Sequence, residues 1–140
     1  MKKAMMVLVL GTMSIAHMAT AGQPGITMYQ DPNCGCCSGW AQHMRDNGHD
    51  VKVIQSADMA AVKVAHGVPM QLASCHTAIV EGSGQVVEGH VPANAVRKML
   101  LDPSVTGVAA PGMPTNSPGM GPMDGNLITV DFQGRPFSRD

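Results

Sequence analysis

Three cysteines lie within four residues, and their place between two predicted secondary-structure elements restricts the fold more than any other feature of the sequence. Ile26–Tyr29 has the β-branched and aromatic residues of a strand, which Asp31–Asn33 ends. The segment Cys34–Cys37 follows directly, and the spacing of apolar residues after it predicts a helix at Cys37–Asp46. The sequence therefore predicts a strand, a cysteine-bearing turn and a helix in succession.

The remaining pattern continues to mix strands and helices. The further predicted elements are, in order, a strand at Asp50–Ile54, a helix at Met59–His66, a hairpin of Thr77–Val80 and Gln85–Glu88, a helix at Ala93–Leu101 and a strand at Leu127–Phe132. This order predicts an α/β sandwich with a small mixed sheet.

The C-terminal part of the chain has a different composition. Residues 104–125 are rich in Gly, Pro, Ser and Met, carry almost no charge and show neither a helical nor a strand period, which predicts an irregular arm. We therefore expect a domain at residues 22–103 and a Met/Pro/Gly-rich arm at residues 104–140, with its final strand packed on the domain. The tail after Gly134 is expected to be frayed.

The first 21 residues have the features of an export signal. Lys2 and Lys3 precede an apolar run at Ala4–Ala16, and Ala19–Ala21 supplies the small residues of a cleavage site. The run is shorter than the roughly 20 residues of a membrane-spanning helix, which disfavours a permanent anchor. We expect residues 1–21 to be a signal peptide, and its removal to leave a mature protein in the bacterial periplasm without a membrane anchor.

The charge balance disfavours two classes of partner. The chain has 9 basic and 10 acidic residues, and loss of Lys2 and Lys3 makes the mature protein more acidic. No basic run remains that would attract phosphate groups, so neither nucleic acid nor an anionic membrane surface is an expected partner.

Cysteines in exported proteins often form structural disulfides, but the spacing of these four cysteines is unfavourable for two disulfide bonds. A bond between adjacent Cys36 and Cys37, or between Cys34 and Cys36, would close a small strained ring. Only Cys34–Cys37 is comfortable, which leaves Cys36 to pair with Cys75. A second interpretation is a thiol–disulfide oxidoreductase that uses Cys34 and Cys37, because a helix N-terminus activates a thiol. That chemistry needs two cysteines and not four.

The third interpretation is a site for a soft metal. Cys34, Cys36, Cys37 and the distant Cys75 form a dense thiolate set, which selects copper(I), zinc or iron–sulfur chemistry. Adjacent Cys36 and Cys37 can hardly both reach one tetrahedral ion, whereas sulfurs that bridge several cuprous ions relieve the crowding. A multinuclear Cu(I)–thiolate cluster, with more than one copper ion, therefore fits the spacing best.

Histidines near these cysteines divide into two groups. His76 adjoins Cys75, and at an irregular strand start both side chains can reach one centre, as ligand or as supporting group. His90 precedes a predicted helix and is a candidate supporting group. His43 lies roughly 10 Å from Cys36 along the helix axis, so a capping or surface role is expected.

The methionines of the arm are further candidate ligands. Met113 and Met120 lie in segments rich in Pro and Gly, where no core is expected for them to fill. Thioether sulfur binds Cu(I), so capture or capping of copper is one interpretation. The other is a loop packed loosely over the domain.

Five segments together carry a family resemblance. They are Tyr29–Trp40, Gly67–Pro69, Ser74–Ala78, Glu88–Ala93 and Pro111–Pro114. These segments resemble the CopG-type periplasmic copper-resistance proteins, and the similarity extends from about residue 26 to residue 130. The resemblance implies a thioredoxin-like fold, a copper–sulfur cluster on the four cysteines and a role in copper tolerance, with redox chemistry of the copper as one option. Copper ions, and other periplasmic proteins that handle copper, are the expected partners.

Overall fold

The structure, a computed structural model, describes residues 22–140, and the strands and helices of this range mostly begin and end where the sequence pattern predicts. The strands are β1 (Ile26–Gln30), β2 (Val51–Gln55), β3 (His76–Val80), β4 (Val86–Glu88), β5 (Gly107–Ala109), β6 (Ile128–Asp131) and β7 (Pro136–Arg139). The helices are α1 (Cys37–Asp46), α2 (Met59–Ala65) and α3 (Ala93–Leu100), and a short 3-10 turn spans Met70–Leu72.

The strands form one mixed sheet in the order β2-β1-β3-β4-β5-β6-β7. β1 is parallel to β2, whereas β3 is antiparallel to both β1 and β4. Together with the helices that connect them, these four strands give the thioredoxin-like α/β fold that was predicted. Pairing of Met28 with Ala78 places β1 and β3 in register directly behind the cysteine turn.

Different helices cover the two faces of the sheet. Successive residues of a strand point to opposite faces, so the contacts of neighbouring strand residues show which helix lies on each face. Ala78 of β3 belongs to the buried cluster that also holds Trp40 of α1 and Val96 of α3. The neighbouring Thr77 instead accepts a hydrogen bond from Lys63 of α2. The fold is therefore a three-layer sandwich, with α1 and α3 on one face of the sheet and α2 on the other.

The sheet is larger than the sequence pattern predicts. β5 lies inside the segment expected to be irregular and pairs in parallel with β4. β7 pairs antiparallel with β6, so the expectation of a frayed tail after Gly134 is wrong. Both strands are short and lack the alternation of apolar and polar residues that marks a half-buried strand. Their pairing with neighbouring strands, which a local pattern cannot show, is what makes them strands.

The predicted signal peptide at residues 1–21 lies outside the described residues. Within residues 22–140, none of the helices has the length and apolar character needed to cross a bilayer.

His43 has the capping role that its distance from the cysteines indicates. Its Nε2 atom lies 3.1 Å from the backbone nitrogen of Ala93, the first residue of α3, and accepts that N–H. The N–H groups at a helix start have no partner within the helix, so His43 supplies one. Burial lowers the pKa of His43, and Arg97 lowers it further against the opposing effect of Asp46.

Replacing His43 with glutamine is expected to destabilise the protein by about 1 kcal/mol at pH 7.5, the usual value of one hydrogen bond. The loss should shrink by pH 5.5. As the pH falls below about 6.5, His43 takes up a proton in the unfolded chain before it does so in the folded one, which removes part of the stability of the wild type. Urea unfolding at both pH values measures this. A His66→Gln variant is the control, and equal pH dependence in wild type and His43→Gln would contradict the role.

Candidate metal centre

The four cysteines come together at the N-terminus of α1. Cys34–Cys37 forms the turn between β1 and α1, and Cys75 lies in a bend directly before β3. Their four Sγ atoms lie within 4.8 Å of one another. Cys34, Cys36 and Cys75 line an open cleft of about 460 Å³. The irregular start of β3 thus brings Cys75 to the other three sulfurs.

The cysteines are in two chemical states. Cys34 and Cys37 form a disulfide, which is the pairing that the spacing favours, and Cys36 and Cys75 are half-buried free thiols. Cys36 Sγ lies 3.7 Å from Cys34 Sγ. A sulfur in a disulfide is not a thiolate donor, so this state offers two thiols to a metal. All four sulfurs become donors only after the disulfide accepts two electrons and two protons.

The environment of Cys75 opposes a free thiolate. Burial raises the pKa of this thiol to about 11, and the neighbouring Cys36 adds to the rise. A bound cation supplies the missing positive charge, so thiolate formation at Cys75 is expected to accompany metal binding and to release a proton.

His90 contacts Cys75 directly, although the sequence only suggests a supporting role for it. The Nε2 atom of His90 lies 3.1 Å from Cys75 Sγ, and its Nδ1 lies 2.6 Å from the carbonyl oxygen of Pro118. A carbonyl oxygen can only accept a hydrogen bond, so Nδ1 carries the ring proton and Nε2 presents its lone pair to the sulfur. Metal-binding histidines are commonly oriented by such a bond on the second ring nitrogen. Burial lowers the pKa of His90, which favours the neutral ring.

His76 is enclosed beside the same sulfur. Its Nδ1 lies 3.6 Å from Cys75 Sγ, and its ring packs 4.5 Å from Trp40 and 5.0 Å from His90 between ring centres. Nε2 is buried without a hydrogen-bond partner of good geometry among the described residues. Burial, with His90 and Lys63 nearby, lowers the pKa of His76 well below its usual value. The ring is therefore held neutral, as a metal ligand must be.

A second group of donors overlaps the four cysteines. Cys37, Cys75, His76 and His90 also place their donor atoms within 4.8 Å of one another. The two groups share Cys37 and Cys75, so the site has a sulfur side that faces the cleft and an imidazole side in the protein interior.

A buried polar network fixes the backbone before Cys75. Glu88 is fully buried on β4 and lies 2.5 Å from Lys63 Nζ on α2. It also accepts hydrogen bonds from the Thr77 hydroxyl at 2.7 Å and from the Ser74 backbone N–H at 2.7 Å. Sequence analysis missed this network, because no local pattern pairs Lys63 with a residue 25 positions away.

The arm crosses the site at two points. Ser74 forms an isolated bridge with Gly112, and its hydroxyl donates to the Gly112 carbonyl at 2.5 Å. Further on, Gly119 packs against the start of α1, where a β-carbon would lie 2.6 Å from the Trp40 backbone nitrogen. Met113, the residue directly after Gly112, lines the cleft.

The two candidate methionines lie in different positions relative to the cleft. Met113 is 51% exposed and lines the cleft together with the cysteines. Met120 is half-buried and is not among the residues that line it. Of the two, Met113 is placed to meet an ion that enters.

The fold and the site define a thioredoxin-like protein with a compact cysteine and histidine centre. Two solved structures, described as forms 1 and 2 of the copper resistance protein CopG, are each 37% identical in sequence with a TM-score of 0.73. Each match covers 84% of this chain and 98% of the other. Residues 72–120 match a family described as a protein of unknown function, DUF411. No curated protein sequence matches the chain.

The chain belongs to the CopG family of copper resistance proteins. The resemblance inferred from the five sequence segments is thereby confirmed.

Proposed function

We propose that this protein is a periplasmic copper-binding protein that holds several Cu(I) ions on Cys34, Cys36, Cys37 and Cys75 and acts in copper resistance. The observation that carries the proposal is the convergence of the four Sγ atoms within 4.8 Å, at a cleft open to solvent. Thiolates this close repel one another unless cations lie between them, and soft thiolate sulfur prefers cuprous ions.

Several ions fit this geometry better than one. Cys36 and Cys37 are adjacent, and Cys37 is fully buried in the first turn of α1 whereas Cys36 lines the cleft. Adjacent cysteines are hard to place on one tetrahedral ion without strain, whereas each sulfur can bridge two cuprous ions. The relatives described as copper resistance proteins support copper as the metal.

Three further residues are proposed to complete the copper environment. Met113 lines the cleft, where its thioether can receive Cu(I) from solvent or from another periplasmic copper-handling protein. His76 lies on the interior side, 3.6 Å from Cys75 Sγ. Met120 is half-buried and does not line the cleft, so it would bind copper only after the arm moves.

Copper analysis of the protein purified without oxygen tests the proposal. We expect more than one copper per chain in the reduced protein, with no disulfide by mass spectrometry, because metal binding protects the thiolates from oxidation. Fewer than one copper per chain, together with oxidised cysteines, would contradict it. Zinc measured on the same sample distinguishes copper from a general preference for thiophilic metals.

A thiol–disulfide oxidoreductase is the second candidate function. One observation favours it: the Cys34–Cys37 disulfide lies at the N-terminus of α1, where such enzymes carry their reactive pair. A functional oxidoreductase would exchange this disulfide with substrate thiols without any need for Cys36 or Cys75.

A further inference from the structure

We infer that Cys75, His76 and His90 form a nitrogen-rich copper position, which shares Cys75 with the proposed cluster and remains available while Cys34 and Cys37 are joined as a disulfide. The inference rests on the proposed function for the identity of the metal, and it adds a nitrogen-rich position to the proposed sulfur cluster. Its ligand set is one thiolate and two neutral imidazoles, a combination that suits copper.

The distances between the donor atoms fit one metal ion. A metal bound to sulfur at about 2.3 Å and to nitrogen at about 2.0 Å separates these two atoms by roughly 3.5 Å at tetrahedral angles. Cys75 Sγ lies 3.1 Å from His90 Nε2 and 3.6 Å from His76 Nδ1. Small shifts of the side chains are enough to admit an ion between them.

The orientation of His90 is already that of a ligand. The Pro118 carbonyl accepts the proton on Nδ1, so Nε2 has a free lone pair directed at the sulfur. In the metal-free protein, the thiol hydrogen of Cys75 can occupy this gap. Binding of Cu(I) replaces that hydrogen: the S–H bond breaks, a Cu–S bond forms, and one proton leaves to solvent.

His76 supplies the second argument. It is fully buried, and its Nε2 lacks a partner of good geometry within residues 22–140. A buried polar atom without a hydrogen bond is costly, so an interior histidine of this kind needs an explanation. Coordination through Nδ1, which lies 3.6 Å from Cys75 Sγ, would fix the ring beside this sulfur and make Nε2 the protonated nitrogen.

This position does not depend on the disulfide. Cys34 and Cys37 are removed as donors when they are bonded to each other, but Cys75 stays a free thiol that lines the cleft. The structure thus offers two binding modes: a sulfur cluster in the reduced protein and a single mixed nitrogen and sulfur position in the disulfide form.

The test uses the full mature chain with the Cys34–Cys37 disulfide verified by mass spectrometry. Cu(I) is supplied without oxygen from a weak chelator, and bound copper is counted and examined by X-ray absorption. We expect one copper per chain with two nitrogen donors and one sulfur donor, and an intact disulfide. No bound copper, or copper with sulfur donors only, would overturn the inference.

Histidine variants provide the second arm. His90→Gln and His76→Gln should each lower copper in the disulfide form at least tenfold, whereas His66→Gln should not change it. Circular dichroism shows which variants are folded. If His76→Gln does not fold, the number of nitrogen donors found by X-ray absorption in the wild type tests whether His76 binds copper. Unchanged binding in a folded His90→Gln variant would also overturn the inference.

The two proposals fail in different ways. If the disulfide form binds no copper but the reduced protein binds several ions, only the nitrogen-rich position is wrong. If the reduced protein binds no more copper than the disulfide form, the proposed cluster is wrong.

Discussion

Replacing Cys36 and Cys75 together with serine is expected to reduce bound copper from several ions per chain to fewer than one. The double variant removes one cysteine from the turn and Cys75, which alone among the four cysteines of residues 22–140 lies beside β3. It also removes the thiol that contacts His90 at 3.1 Å. Serine hydroxyl is a hard, protonated donor that does not replace a thiolate for Cu(I).

The same variant separates the two candidate functions. Cys34 and Cys37 remain, so their disulfide should still form and should still be reduced by a dithiol. The measurements are copper per chain after anaerobic loading and the rate of disulfide exchange with a thiol-containing peptide. Cys34→Ser with Cys37→Ser is the matched control, which should abolish exchange. Retained copper in the Cys36 and Cys75 variant would exclude the cluster.

Replacing Lys63 with methionine is expected to lower the free energy of unfolding by about 3–5 kcal/mol, the usual effect of leaving one member of a buried ion pair without its partner. Lys63 and Glu88 are both almost completely buried, with exposures of 5% and 0%. After the change, the carboxylate of Glu88 keeps only its bonds to Thr77 and Ser74. The total stability of a domain of this size is about 5–15 kcal/mol, so the loss is a large fraction of it.

Urea unfolding of the metal-free protein measures this loss, with Lys52→Met, an exposed lysine of β2, as the control. The double variant Lys63→Met with Glu88→Gln should recover part of the stability, because it removes both charges together. A loss below about 1 kcal/mol in Lys63→Met would show that the pair is solvated and would contradict the burial argument.

The local sequence pattern was sufficient to predict α1 and the cysteine-bearing turn, Cys34–Cys37, at its N-terminus. The apolar period of Trp40, Ala41 and Met44 continues over the whole helix, and these three residues are buried as a result. The sequence pattern predicts a strand that begins only at Thr77, and the structure has a bend at Cys75 directly before β3. The distances within the site follow from these two elements, once β1 and β3 pair.

Other parts of the site depend on contacts that no local pattern contains. The bond of His90 to Pro118 and the pairing of Lys63 with Glu88 each join residues at least 25 positions apart. β5 follows the same principle, since its three residues form a strand through pairing with β4. Contacts with residues distant in the sequence determine these features, and the intrinsic β-propensity of the residues contributes little.

The crossing of the arm over the site has a consequence for folding kinetics. The Ser74–Gly112 bond joins residues 38 positions apart, and the His90–Pro118 bond joins residues 28 positions apart. Contacts over such distances form only after the entropy of closing a long loop has been overcome, which makes them slow to appear. In a newly synthesised chain, the three sulfurs of the turn are therefore expected to come together before the imidazole side of the site forms. We expect the topology of the chain to limit how soon the complete centre can bind copper after synthesis.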